Sequence, residues 1–208
     1  MTTWNRTRGN HIFQIILLSL CVACVIGCTH MPNRETICHI SIFDKDDVVF
    51  QNQKISISNF SRCTETMHLV PSATEFVFTC NRGTRHRNLL NVQRILSGQG
   101  FYRFSLDEGK RRVPIRFGPS CDMPYWEQPE SILVMRIGDS LITIDNQIFP
   151  PEGIGIVVRK AINEFAGKNE PPFAVEIICE MESQNSVLRE IVSAIPNPFD
   201  IKIFIVSI

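Results

Sequence analysis

Arg82, Arg85, His86 and Arg87 fall close together, just before an apolar run from Leu89 to Leu96 that reads as a helix. Guanidinium groups beside a helix N-terminus suit an anion, because free N–H groups and fork-shaped donors both favour negative charge there. Arg82, Arg85 and Arg87 are therefore candidate binding residues. The matching loop later in the chain, Glu180–Met181–Glu182, has the opposite sign. Two readings follow: the loops attract each other across an internal interface, or each is solvated. Lys110–Arg111–Arg112 is a second basic run and reads as solvated surface. Cys80 and His86 could be imagined as nucleophile and base, but Phe76, Phe78 and Cys80 alternate as the buried side of a strand. The G-x-S-x-G, H-E-x-x-H and P-loop patterns are absent, and Gly153-x-Gly155 lacks the strand-then-helix setting of a dinucleotide loop. The expectation is a protein that is not an enzyme, with no catalytic residue, no metal and no cofactor.

The eight cysteines point the same way. Cys21 and Cys24 lie in an apolar N-terminal run and form the chain's C-x-x-C spacing, so no such pair remains downstream for zinc or dithiol chemistry. Cys38, Cys63, Cys80, Cys121 and Cys179 are left, an odd number whose disulfide pairing the sequence leaves open. Cys80 and Cys179 occupy matching places in two strands and read as small buried hydrophobes.

The elements that must position these residues occur twice. Val48–Val49–Phe50–Gln51–Asn52–Gln53 is echoed by Leu141–Ile142–Thr143–Ile144–Asp145–Asn146–Gln147, with 94 positions from Asn52 to Asn146. Thr74 to Cys80 is echoed by Phe173 to Cys179, with 99 positions between the two cysteines. In the first copy, strands over Cys38–Ile42 and Val48–Gln51 form a hairpin. A helix with Phe60, Cys63 and Met67 on one face follows, then a strand to Cys80, a helix with Leu89, Val92 and Leu96 inward, and a strand through Phe104. The second copy repeats the order from Ile132 to the last strand, Asp200 to Ile208. The expected fold is α+β: two tandem ββαβαβ domains, each a four-stranded sheet with two helices on one face. The boundaries are 37–107 and 131–208, joined by a Pro-rich linker over 108–130. Within the linker, Arg112 to Phe117 reads as an extra edge strand. Tyr125–Trp126 reads as a plug against one domain, with an exposed docking pair as the alternative.

Ahead of the copies stands a targeting segment. Residues 1–11 carry Arg6, Arg8 and His11 and no acid; Ile12 to Gly27 is apolar apart from Gln14 and Ser19. At 16 residues this is short for a membrane-spanning helix, which needs roughly 20. Its end, Val25–Ile26–Gly27–Cys28, resembles the bacterial lipoprotein processing box, which implies cleavage after Gly27 and lipid on Cys28. The alternative is an uncleaved anchor over 1–27. Residues 28–36 are then a tether, and the chain beyond lies in the cell envelope, facing the periplasm or exterior. Without residues 1–27, 19 basic residues face 21 acidic ones. That balance offers no field for nucleic acid.

The element order, carried by Ile132–Leu133–Val134, Asp145–Asn146–Gln147 and Ile201 to Val206 in the second copy, is similar to the periplasmic domain of ExbD/TolR-family biopolymer transporters. In the first copy the match runs through Asp47–Gln53 and Thr74–Phe104. The resemblance implies dimerisation of such domains, here an internal pseudo-dimer, and contact with an envelope transport complex or peptidoglycan. The family's membrane helix carries an aspartate implied to couple proton flow. Residues 12–28 hold no Asp or Glu, so that role is not expected here. The expected function is binding in a biopolymer-transport or envelope complex. A structural lipoprotein that tethers or binds peptidoglycan is the alternative.

Overall fold

The computed structural model describes residues 35–43, 46–81, 83–109, 111–124, 127–138, 140–169, 173–196 and 201–208. Thr36–Ile208 forms one compact unit. Its described elements run β1 (Thr36–Ile42), β2 (Asp47–Phe50), β3 (Gln53–Ser56), α1 (Ile57–Glu65), β4 (Thr74–Cys80), α2 (His86–Gly98), β5 (Phe104–Asp107) and β6 (Arg112–Phe117). Then come β7 (Ile132–Ile137), β8 (Ile142–Ile144), β9 (Gln147–Phe149), α3 (Ile154–Ala166), β10 (Ala174–Cys179), α4 (Asn185–Ala194) and β11 (Lys202–Ser207).

The fold is mixed α/β, with four described helices and an 11-stranded mixed sheet in the order β3-β2-β1-β4-β5-β6-β11-β10-β7-β8-β9. Either side of β6 the order is the same read outward: the last strand of each half lies next to β6 and the hairpin strands lie at the rim. Parallel pairing joins β1 to β4 and β4 to β5 in the first half, and β7 to β10 and β10 to β11 in the second. Two features differ from the sequence expectation. Each half contributes five strands where four were expected, and the strands form one sheet rather than two.

The fifth strand arises at the echoed segment. Gln51 and Asn52 have φ of 50° and 63°; Asp145 and Asn146 have 48° and 64°. Two consecutive positive φ values make a two-residue hairpin turn of the kind whose twist matches paired strands, and Asn tolerates that region better than most residues. The chain therefore reverses at Asn52 and Asn146, and Gln53 pairs with Phe50 as Gln147 pairs with Ile144. The join is made by β6. It runs antiparallel to β5 over Arg112 to Ile115 and parallel to β11 at Arg116 and Phe117. Pro114 has no N–H to give, and it sits opposite Ser105 on the β5 side. The segment expected at an edge is thus the strand that closes the two halves into one sheet.

One face of the sheet is covered by helices. In β7, Leu133, Met135 and Ile137 are buried and share a core with Ile154, Val158 and Ile162 of α3, while Ile132, Val134 and Arg136 are exposed. The first half fills its core with rings. Phe50 meets Phe60 edge-on at 5.4 Å and Phe76 meets Phe101 at 5.0 Å. The second half uses Ile144, Val175 and Ile177 in the matching strands, with Phe165 and Phe173 paired at 5.3 Å at one end. The opposite face is open over much of its area. The connector over 118–131 covers part of it: Met123 packs on Ala174 and Phe204, and the Glu176 carboxylate accepts hydrogen bonds from Ser120 N and Oγ, both at 2.9 Å. Tyr125 and Trp126 lie outside the described residues.

Candidate functional site

The loop that begins α2 and the loop that begins α4 meet. Arg85 and Gln184 form an antiparallel bridge. His86 N donates to Ser183 O at 2.9 Å, Arg87 N to Met181 O at 3.0 Å and Asn185 N to Thr84 O at 2.9 Å. Equivalent residues of the halves, 99 positions apart, thus face each other: Thr84 matches Ser183, and His86 matches Asn185. The geometry is that of a local twofold, and it satisfies helix-initiating N–H groups that a buried helix start would otherwise leave unpaired.

The basic side chains of this loop are committed within the protein. Arg85 Nη1 donates to Glu182 O at 2.7 Å and lies 3.9 Å from the Glu182 carboxylate; Arg87 Nη1 reaches Glu182 Oε1 at 3.0 Å. Of the two readings open in the sequence, mutual attraction of the loops is the one observed. The anion that Arg85 and Arg87 hold is the carboxylate of Glu182. All three side chains keep substantial exposure, so these pairs are screened and weak, on the order of 0.5 kcal/mol each. Arg82 lies outside the described residues, as do Cys28 and the whole targeting segment 1–27.

His86 is fully buried between the halves. Asn185 Nδ2 donates to Arg85 O at 3.1 Å, which turns Asn185 Oδ1 toward His86 Nδ1 at 3.3 Å. Nδ1 therefore carries the proton, and Nε2 accepts from the Ser207 hydroxyl at 2.8 Å. Burial pushes the imidazole down to about 4, with the Asn185 hydrogen bond opposing. A ring so placed is neutral near pH 7 and enclosed. Cys80 and Cys179 are buried as their alternation implies, and burial holds both thiols protonated, Cys80 pushed up to about 12 and Cys179 higher. Cys38 is raised by burial as well. Cys38, Cys63, Cys80, Cys121 and Cys179 are all free thiols. His86 and Cys80 are thus both enclosed, and among the described residues no cluster of three or more His, Cys, Asp or Glu could hold a metal.

A second junction was not legible as a site. Arg189 of α4 reaches from the second half into the first and donates Nη1 to Cys80 O at 3.0 Å. Its Nε lies 4.0 Å from Oε1 of Glu108, just after β5. Arg111 donates to the carbonyls of Val192, Ser193 and Ile195 at 3.3, 2.9 and 2.8 Å and so caps the C-terminal end of α4, where cationic donors are favoured. Arg111 belongs to the run that reads as solvated surface in the sequence. The useful signal was an arginine between Leu188 and Ile191 on an otherwise apolar helix face.

No family model, curated protein or solved structure matches the chain. Among the described residues no helix is long and apolar enough to cross a membrane.

A further surface feature is the open face of the second half. Ile132, Val134 and Ile148 project there, Val134 at 43 % and Ile148 at 65 % exposure. Arg136, Thr143 and Ile148 stand opposite one another across β7, β8 and β9. The matching row of the first half is Ser41, Val49 and Lys54, with Lys54 in an ion pair to Asp47 at 2.9 Å. A rim strand that carries Lys resists pairing with other chains; Ile148 gives β9 no such guard.

Proposed function

We propose that the protein is a membrane-tethered component of the cell envelope. Its two halves are ExbD/TolR-like modules, and it acts by binding in a biopolymer-transport or envelope complex. The observation that carries this reading is the repeated element order on either side of β6. A module that occurs twice, related by a local twofold at Arg85 and Gln184, is what an internal pseudo-dimer of such domains requires. The finer description, two superposable copies within the shared sheet, belongs to the same proposal. So do the lipid on Cys28, the envelope location, and the absence of proton coupling inferred from the lack of Asp and Glu over 12–28. The exposed Ile132, Val134 and Ile148 on the open face of the second half support binding over catalysis.

The test uses the full-length chain. Photo-crosslinkers at Val134 and Ile148 in membranes should capture a multispanning channel subunit of a transport complex, whereas placement at Ser41 and Lys54 should not. Capture equal from both halves, or binding to purified peptidoglycan that survives Val134→Asp with Ile148→Asp, would overturn the transport-complex reading. Cys28→Ala should abolish metabolic palmitate labelling; persistent labelling contradicts lipid attachment at that residue.

A further inference from the structure

Where the halves meet, Glu108 is buried in a way that its chemistry does not favour. Its side chain is 7 % exposed, and Oε1 makes no hydrogen bond. The Nε of Arg189, also buried, makes none. The two atoms face each other at 4.0 Å, too far for a hydrogen bond and close enough for their charges to interact. Glu108 belongs to the first half and Arg189 to the second, so this pair spans the seam between β5 and α4.

We propose that Glu108 and Arg189 form a proton-operated seam between the two halves, closed while Glu108 carries a proton and opening as the carboxylate ionises. The described titratable groups around Glu108 are Arg189 on α4, Arg111 before β6, Asp107 on β5 and the Cys80 thiol at the end of β4. Arg189 and Arg111 favour the carboxylate, and Asp107 disfavours it. Neither guanidinium is free to follow the charge: Arg189 holds Cys80 O and Arg111 caps α4. Burial outweighs both and pushes the carboxyl from the usual 4.5 to about 7. A raised acid binds its proton more tightly in the closed seam than in water, so closure is favoured at low pH and weakens as pH rises through neutrality. Opening exposes the carboxylate to solvent and frees Arg189 from Cys80 O. The buried imidazole of His86 does not share this window, since it is already neutral across it.

The experiment is hydrogen exchange on the full chain, comparing the amides of α4 and of Glu108 between about pH 6 and about pH 8, with each rate divided by its intrinsic value. A carboxyl that moves from about 7 in the closed seam to about 4.5 in the open one raises the opening constant about tenfold over that interval. Glu108→Gln keeps the shape without the ionisation and should erase the step. Arg189→Leu removes the cation that favours ionisation and should move the step to higher pH. A flat wild-type profile, a step that survives Glu108→Gln, or a midpoint unmoved by Arg189→Leu would each overturn the proposal.

Discussion

The two halves share an element order and differ in what fills and what faces them. The first half packs Phe50, Phe60, Phe76 and Phe101 under its sheet and guards its rim with Lys54. The second packs aliphatic side chains in the same strands and leaves Ile132, Val134 and Ile148 open. At the junction the same positions carry different chemistry: His86 against Asn185, and Leu90 against Arg189. The shared element order thus brackets β6, while the side chains differ: rings fill the first core and aliphatic groups the second.

The largest expected effect separates the two cores. Phe76→Ala, which empties the ring cluster, should cost about 3–5 kcal/mol in urea unfolding of the full chain. Val175, its counterpart, has less hydrocarbon to lose, so Val175→Ala should cost less. Equal losses would contradict the contrast between the two cores.

Next in size is the pH dependence of the buried imidazole. His86 is held neutral in the folded chain and takes a proton near 6.5 when unfolded, so the unfolded state binds more protons between those values. Stability must therefore fall as pH drops from about 6.5 to about 4, by roughly 3 kcal/mol in all. Glu108 acts with the opposite sign over about 4.5 to 7, where the folded state holds the extra proton. The two slopes offset each other near pH 5 to 6. His86→Asn gives the two halves the same residue at this position and should unmask the Glu108 slope: stability falling as pH rises, read from denaturation midpoints. A variant that keeps the wild-type profile would refute the assignment.

Smaller still is the loop contact. Glu182→Gln removes the partner of Arg85 and Arg87 and should cost about 0.5–1 kcal/mol, less at high salt. Smallest in stability is Ile148→Lys, expected to change unfolding by under about 0.5 kcal/mol. Its readout is self-association: sedimentation of the full chain should show less concentration dependence than wild type, because the β9 rim then resembles the β3 rim.

Much of this was legible in the sequence, because alternation and helical spacing depend on neighbours in the chain. Phe76, Phe78 and Cys80, then Val175, Ile177 and Cys179, alternate as strands facing a core and lie there. The third strand of each hairpin was hidden: Gln51–Asn52 and Asp145–Asn146 lack the Asn-Gly signature, so the echo read as a strand end when it was the turn. The β6 join was misplaced at an edge because Pro114 argues against a central strand, and only the pairing at Arg116 and Phe117 shows how it is accommodated. The seam at Glu108, Arg189 and Arg111 was beyond reach. Its contacts link residues about 80 positions apart, and a charge run near a Pro-rich linker resembles solvated surface.

The central claim is that the halves are joined, by β6 and by the paired loops, into one folding unit. Native-state hydrogen exchange on the full chain at about pH 6, where the seam is closed, addresses it most directly. The amides of Gly118, bonded to Ile205 O, and of His86 at the loop junction should exchange only through the same global opening as Val77 and Ile177. Junction amides that open at markedly lower free energy than either half would show two modules side by side, and would contradict the account.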